Sequence, residues 1–287
     1  DGCTPDCLME WITNWNAFPY GYDLYSICGQ GGDLYVVGNK IAIKWLETTG
    51  DWHANPVFPD VIFHDVFPVE PSSNAVFATG DSSSHATVWK ARKTENWNMY
   101  LDLPDTPAMS GVWGVTQNQY WLAGQDGVQA CNYTGCNIAF SMSGHFYYDI
   151  HAASTSLIFA VGKGANGVSI REGDGQGQWN ATAYNPDGIL YAVWADATDH
   201  AWAVGETSAG ECLTAEFDGS NWNSTTCPVS ASGLRGVWTH ATNGHTWAVG
   251  VDGTILYRPA GVTQWTHVPS PTNVTLHEVW GDSNMNQ

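Results

Sequence analysis

The chain has 287 residues, of which 9 are Lys or Arg and 28 are Asp or Glu, for a formal net charge of −19 at pH 7. A surface this anionic repels phosphate backbones, which excludes nucleic acid as its natural partner. No apolar run approaches the roughly 18 residues of a membrane span, so the 16 Trp residues have to serve something other than a bilayer.

From the N-terminus, Cys7 to Ile12 and Trp15 to Pro19 read as two short strands, and a recurring phrase then begins. It consists of an apolar residue, two variable positions, Val or Ile, and usually an aromatic. It appears as LYSIC, FHDVF, MSGVW, YYDIH, LYAVW, LRGVW and LHEVW, with Val or Ile at Ile27, Val66, Val112, Ile150, Val193, Val237 and Val279. The phrases lie 38 to 46 residues apart. All but the last are followed by an aromatic-rich run closing on Gly: Gly38, Gly80, Gly124, Gly162, Gly205 and Gly250.

A period in the low forties is shared by helical arrays and four-stranded propeller blades. Here the repeats are dense in Val, Thr, Trp and Tyr and are cut by Gly, Asn, Asp and Pro, which favours strands. The best-formed unit predicts strand A over Leu234–Thr239, B over His245–Gly250, C over Thr254–Arg258 and D over Gln264–Pro269. Val251-Asp252-Gly253 is the tight turn between B and C, and Gln125-Asp126-Gly127 repeats it. One such unit cannot bury both its faces, so the units must pack around an axis. The expected fold is an all-β, seven-bladed β-propeller in a single domain, residues 1–287. Blades one to six come from residues 23–275, and the seventh is stitched from both termini, 7–20 and 276–287. Trp113, Trp194, Trp238 and Trp280 share one repeat position and read as blade-to-blade packing.

The units VWTHATNGHTWAVGVDGTIL and VWADATDHAWAVG resemble the propeller repeats of bacterial secreted and surface proteins, with their VWG, WAVG and GTIL phrases. They are also similar to photosystem-assembly propellers and to the sialidase-type BNR group. The resemblance covers nearly the whole chain and implies an architecture rather than one activity.

The seventh unit lacks a B strand, which would leave unpaired edges that attract another chain. Its A strand is Leu276, His277, Glu278, Val279, Trp280 and Gly281. The gap is to be filled by the tail 282–287, by residues 1–6, or by a strand from a neighbouring molecule, which would make the protein self-assembling.

Seven cysteines favour an oxidising compartment, paired Cys3–Cys7, Cys131–Cys136 and Cys212–Cys227, with Cys28 left as a buried thiol. Sequons stand at Asn132, Asn180, Asn223 and Asn273, two of them directly after a Trp that opens an outermost strand. The chain opening on Asp1 fits a mature product after signal-peptide removal. The expectation is an extracellular or cell-surface glycoprotein.

Chemistry is sought along the axis. Ser26, Asp65, Gly111, Asp149, Ala192, Gly236 and Glu278 precede the seven Val or Ile positions. The acids Asp65, Asp149 and Glu278 are expected to line the channel, either as hydrated carboxylates or as holders of a hard cation such as Ca²⁺. His64, His151, His240, His245 and His277 fall around the A strands, as a metal or pH ring or as plain surface residues. No G-x-S-x-G nucleophile elbow occurs and arginines are few, so no catalytic residue is assigned. The reading is a non-catalytic structural or interaction module that self-associates or binds other extracellular proteins. The alternative is a carbohydrate-binding lectin that stacks sugars on Tyr147, Tyr148 or Tyr191.

Overall fold

A computed structural model describes residues 22–54, 58–70, 74–82, 85–228 and 231–281. The N-terminal strands expected over Cys7–Ile12 and Trp15–Pro19, the Cys3–Cys7 bridge and the tail from Asp282 lie outside these residues.

The described chain is all-β apart from one 3-10 turn at Val251–Gly253. Twenty-two strands run in order: β1 Leu24–Gln30, β2 Asp33–Gly38, β3 Ile41–Leu46, β4 Asp51–Ala54, β5 Val61–Glu70, β6 Ala75–Ser82, β7 His85–Arg92, β8 Glu95–Leu103, β9 Met109–Thr116, β10 Gln119–Asn132 and β11 Gly135–Ser154. They continue as β12 Leu157–Gly164, β13 Gly167–Gly173, β14 Trp179–Ala181, β15 Ile189–Ala197, β16 His200–Glu206, β17 Cys212–Phe217, β18 Trp222–Thr225, β19 Leu234–Thr239, β20 Thr246–Gly250, β21 Ile255–Arg258 and β22 Thr266–His267.

The propeller expectation holds, but these strands form five sheets, not seven. Four sheets have four strands each, β1 to β4, β5 to β8, β15 to β18 and β19 to β22, while β9 to β14 form one six-stranded sheet. Two repeats share that larger sheet. The expected turn at Gln125-Asp126-Gly127 does not end the ladder. It becomes a bulge at which Asp126 (φ 60°) and Gly127 (φ 149°) twist the chain, and β10 runs through it for 14 residues. Strand β11 likewise runs 20 residues, from the outer position of one repeat to the innermost position of the next. At Val251–Gly253 the same motif, with Asp252 (φ 55°) and Gly253 (φ 69°), separates β20 from β21. The seventh phrase, Leu276–Gly281, belongs to no sheet among the described residues and makes one backbone bond, Leu276 N–H to Gly250 O at 2.9 Å.

The apolar groups are buried between consecutive sheets, as stacking around an axis requires. Phe159, Val161 and Ile170 meet Leu190, Val193, Phe217 and Trp222 in one cluster, and Trp202 and Val204 meet Val237, Leu256 and Trp265 in the next. The second strand of a repeat has a sheet neighbour on each side and another sheet over each face. In β2 all six residues are buried, and after Asp33 its sequence is a continuous apolar run rather than an alternation.

Each closing glycine answers a close approach. A Cβ on Gly162 would lie 1.9 Å from Phe146 O, and one on Gly205 would lie 1.9 Å from Ile189 O. Both glycines pair with the first residue of the phrase on the neighbouring strand, Tyr147 and Leu190.

Candidate functional site

One irregularity recurs at the same place in every described A strand. The register slips between Leu24 and Ser26, Phe63 and Asp65, Tyr147 and Asp149, Leu190 and Ala192, and Leu234 and Gly236. In β9, Met109 and Gly111 pair with adjacent residues of β10 and skip Ser110 in the same way. A β-bulge of this kind bends the strand and re-aims a side chain. The six bulged residues are Tyr25, His64, Ser110, Tyr148, Tyr191 and Arg235, and all are partly exposed. His277 holds the same position in the seventh phrase.

Five of these side chains meet across repeat boundaries, Tyr148, Tyr191 and Arg235 in one group and Tyr25 and His277 in another. The rings of Tyr148 and Tyr191 lie 4.9 Å apart, and the Arg235 guanidinium sits 4.1 Å over the Tyr191 ring. Arg235 Nη2 donates to Glu206 Oε2 at 2.9 Å, and Tyr191 Oη donates to Glu206 Oε1 at 2.8 Å. His277 stands edge-on to Tyr25 at 5.2 Å, and burial, then the charge of Arg235, lowers its pKa. His64 Nε2 is 2.7 Å from Asp81 Oδ2.

One residue further along the A strands stand the three acids singled out from the sequence, Asp65, Asp149 and Glu278, within electrostatic reach of one another. β1, β5, β9, β15 and β19 are edges of their sheets and β11 beyond Phe146 pairs with β12 alone, so the inner N–H groups of these A strands have no strand to accept them. The acids accept them instead. Asp65 Oδ1 takes the Val66 N–H at 2.7 Å and Oδ2 takes the Val112 N–H of the next repeat at 2.8 Å. Asp149 does the same with Ile150 at 2.7 Å and Val193 at 2.8 Å. Ser26 Oγ donates to Asp65 Oδ1 at 2.8 Å, and Glu278 Oε1 accepts the Val279 N–H at 3.1 Å. Among the described residues no three His, Cys, Asp or Glu side chains are grouped so as to hold a metal ion. Asp65 and Asp149 thus each tie their own A strand to the next one, a use that spacing did not suggest.

The electrostatic cost is visible. Burial, then the charge of Asp65, pushes the Asp149 carboxyl up to about 7. Burial, then Asp149 and Asp65, pushes Glu278 well above the carboxylate range. Burial also raises Asp65, against the bonds from Val112, Ser26 and Val66. Small residues separate the acids: a Cβ on Gly111 would meet the Asp149 backbone at 2.9 Å, and one on Gly236 would meet Glu278 Cα at 2.7 Å. His151 takes over the strut role one step further along, accepting the Ala195 N–H on Nδ1 at 3.0 Å, and burial lowers its pKa to about 3.

The five histidines do not form a ring. His64 pairs with Asp81, His277 meets Tyr25 and His151 is buried, while His240 caps its loop through the Thr242 and Asn243 N–H groups and His245 bonds Tyr257. Of the three tyrosines expected at a sugar-binding rim, Tyr147 is fully buried, with its hydroxyl between Ser169 and Arg171, because it precedes the bulge and points into the sheet packing. Only Tyr148 and Tyr191 reach the rim.

At the opposite mouth, the residues after Val or Ile pack side to side. His151 stacks on Trp194 at 4.1 Å, Trp194 lies 6.5 Å from Trp238, and Trp280 covers Gly29, where a Cβ would lie 1.9 Å from its ring. A cavity of about 310 Å³ opens between Trp194, Trp238, Trp280 and the Gly29–Gly32 turn. The buried free thiol of Cys28 holds the position occupied by an aromatic or His in the other repeats.

Cys131 and Cys136 are joined, as are Cys212 and Cys227. Asn180, Asn223 and Asn273 are exposed, the first two on the outermost strands β14 and β18, and Asn132 is partly exposed with its side chain bonded to Thr134. No helix among the described residues is long and apolar enough to cross a membrane.

No family model and no curated protein matches the sequence. Among solved structures the chain is similar to YCF48 from Cyanidioschyzon merolae, at 14% identity and a TM-score of 0.68 over 91% of this chain and 90% of that one. YCF48 bound to D1 peptide matches at 14% identity and 0.66, covering 87% and 83%. A streptogramin B lyase matches at 11% and 0.69, covering 91% and 84%. Likeness at such identities shows the fold: this chain is a β-propeller.

Proposed function

We propose that the chain is a non-catalytic interaction module, exported and glycosylated, that takes a protein partner at the mouth lined by the bulged residues. The observation that carries this is the repetition of one bulge in six successive A strands, which aims Tyr25, His64, Ser110, Tyr148, Tyr191 and Arg235 at the same end of the axis. Chance irregularities would fall at different registers. The residue types agree with recognition of a protein surface, since Tyr and Arg are the side chains that dominate protein interfaces. The YCF48 propeller was solved with a peptide bound, so a propeller of this shape can hold one. The two disulfides and the surface sequons support an oxidising, extracellular setting. The test is a double variant, Tyr148→Ala with Tyr191→Ala, in pull-downs from the extracellular fluid or cell surface of the source. Partners retained by the wild type and by this variant alike would refute the site.

Glycan binding is the second reading, favoured by the partly exposed Tyr148–Tyr191 pair, and retention on a glycan column with elution by free sugar would decide for it. Self-association would use the inner segment Leu276–Gly281, which pairs with no strand among the described residues. A constant monomer mass by light scattering over a hundredfold range of concentration would remove that route.

A further inference from the structure

We propose that the cavity of about 310 Å³ between Trp194, Trp238, Trp280 and the Gly29–Gly32 turn binds an uncharged sugar, taking a pyranose ring with its C–H face against indole and its hydroxyls on the polar groups of the turn. This is a second site, independent of the bulged residues and of the partner they take.

The cavity originates in a gap at one repeat position. The residue after Val or Ile is Phe67, Trp113, His151, Trp194, Trp238 or Trp280 in six of the phrases and Cys28 in the first. Where ring follows ring, they pack: Phe67 lies 6.5 Å from Trp113 and 5.4 Å from His151, and His151 stacks on Trp194 at 4.1 Å. The first repeat supplies no ring, and Gly29, Gln30, Gly31 and Gly32 come next in its sequence. Gly31 (φ 58°) and Gly32 (φ 85°) turn in the left-handed region, where a residue without Cβ is favoured. The belt of rings is interrupted there, and the space left is walled by indole and by bare backbone.

The lining selects the guest. Among the described residues that form it none is charged, so an ionic guest would give up hydration without gaining a counter-charge. Its polar side chains, Gln30 and Thr239, are neutral. Among the described residues no acceptor is bonded by the N–H groups of Gly31 and Gly32 or by the indole N–H groups of Trp194, Trp238 and Trp280. A wholly apolar guest would cover those donors and leave them unpaired, at a cost. A pyranose meets both demands, because its ring has an apolar C–H face for the indoles and its hydroxyls can accept from the donors. Flat aromatic surface with a few neutral polar groups, in a cleft of this volume, is the usual make-up of a small-molecule site.

The experiment is saturation-transfer NMR on the full-length protein with the methyl pyranosides of glucose, galactose, mannose and N-acetylglucosamine, followed by calorimetric titration of those that bind, up to about 10 mM. At least one glycoside is expected to bind. Trp280→Ala, which removes a wall, and Ala241→Trp, which fills the cavity from an exposed position and leaves every packed ring in place, should each weaken it at least about tenfold. The Tyr148→Ala, Tyr191→Ala variant should bind the glycoside as the wild type does, and thermal unfolding followed by circular dichroism checks that Ala241→Trp is folded. A glycoside that Ala241→Trp still binds with wild-type affinity would overturn this site, and its loss in the tyrosine variant would place the sugar at the other mouth. Binding of free indole with no glycoside bound would overturn the sugar, and so would no binding at all. None of these results bears on the protein partner, which the pull-down tests separately.

Discussion

Replacing Asp149 with Asn should change how stability depends on pH, and the structure sets the sign. Folding lifts the Asp149 carboxyl from near 3.8 to about 7. A carboxyl that holds its proton more tightly folded than unfolded stabilises the fold below pH 4 and surrenders that contribution as pH rises through 7. The full shift of about 3 units corresponds to ~4 kcal/mol, of which roughly 3 kcal/mol falls between pH 5 and pH 8. This is an upper bound, because Asp149 keeps some surface toward the water of the channel. His151 works the other way: its folded pKa near 3 means that stability is lost as pH falls below 6.5, by about 2 kcal/mol between pH 8 and pH 5. In the wild type the two nearly cancel. In Asp149→Asn the histidine acts without that opponent, and the removed charge also eases Glu278, whose shift has the same sign. Urea denaturation at pH 5, 6.5 and 8 should therefore show the variant gaining about 2 to 3 kcal/mol on the wild type from the acid to the alkaline end. Parallel stability curves for the two proteins would refute the idea that Asp149 pays a buried-charge penalty.

Four further outcomes can be checked on the same protein. His151→Ala leaves the Ala195 N–H without its acceptor and should cost about 1–3 kcal/mol by denaturant titration, while the wild-type imidazole should show no titration between pH 5 and 8 by NMR. Gly162→Ala drives a Cβ into Phe146 O and should lower stability by at least ~2 kcal/mol, seen as a drop in Tm, whereas Gly261→Ala, with nothing within 4 Å but a φ of 70°, should cost about 1 kcal/mol. Opening Cys212–Cys227 by double substitution to Ser releases a loop spanning 15 residues and should cost roughly 3 kcal/mol, more than opening Cys131–Cys136, which spans 5. Trp202→Ala empties the cluster it shares with Trp265 and Leu256 and should cost ~3–5 kcal/mol in calorimetry.

While the fourth strand of the sixth repeat, expected over Gln264–Pro269, is only Thr266–His267, the sequence shows the first three almost to the residue. The reason is that its apolar runs, the Val251-Asp252-Gly253 turn and the closing Gly250 all mark the same boundaries. The six-stranded sheet is invisible at that level, since Gln125-Asp126-Gly127 carries the same turn letters and only long-range pairing with Phe146 keeps the ladder going. The three acids could be singled out because the repeat sets them at one position of the phrase. Their task could not, because it depends on backbone N–H groups contributed by the next repeat. The bulged collar went unread for a different reason. Tyr, His, Ser, Tyr, Tyr, Arg and His share no chemistry, so the position looks merely variable. The signal was the pair of unaligned facts around it: a phrase with one residue too many and, opposite its first residue, a glycine that cannot be replaced.

The struts along the axis also impose a parity. Acid and small residues cannot alternate perfectly around an odd number of phrases, so somewhere two of one kind must stand side by side. The chain places Ala192 beside Gly236 and never one carboxylate beside another. Losing the repeat of Gly111 would set Asp65 beside Asp149, and losing that of Ser26 would set Glu278 beside Asp65, whereas the Ala192 and Gly236 repeats can each be lost without bringing two acids together, which makes that stretch of the chain the tolerant place for a change in repeat number.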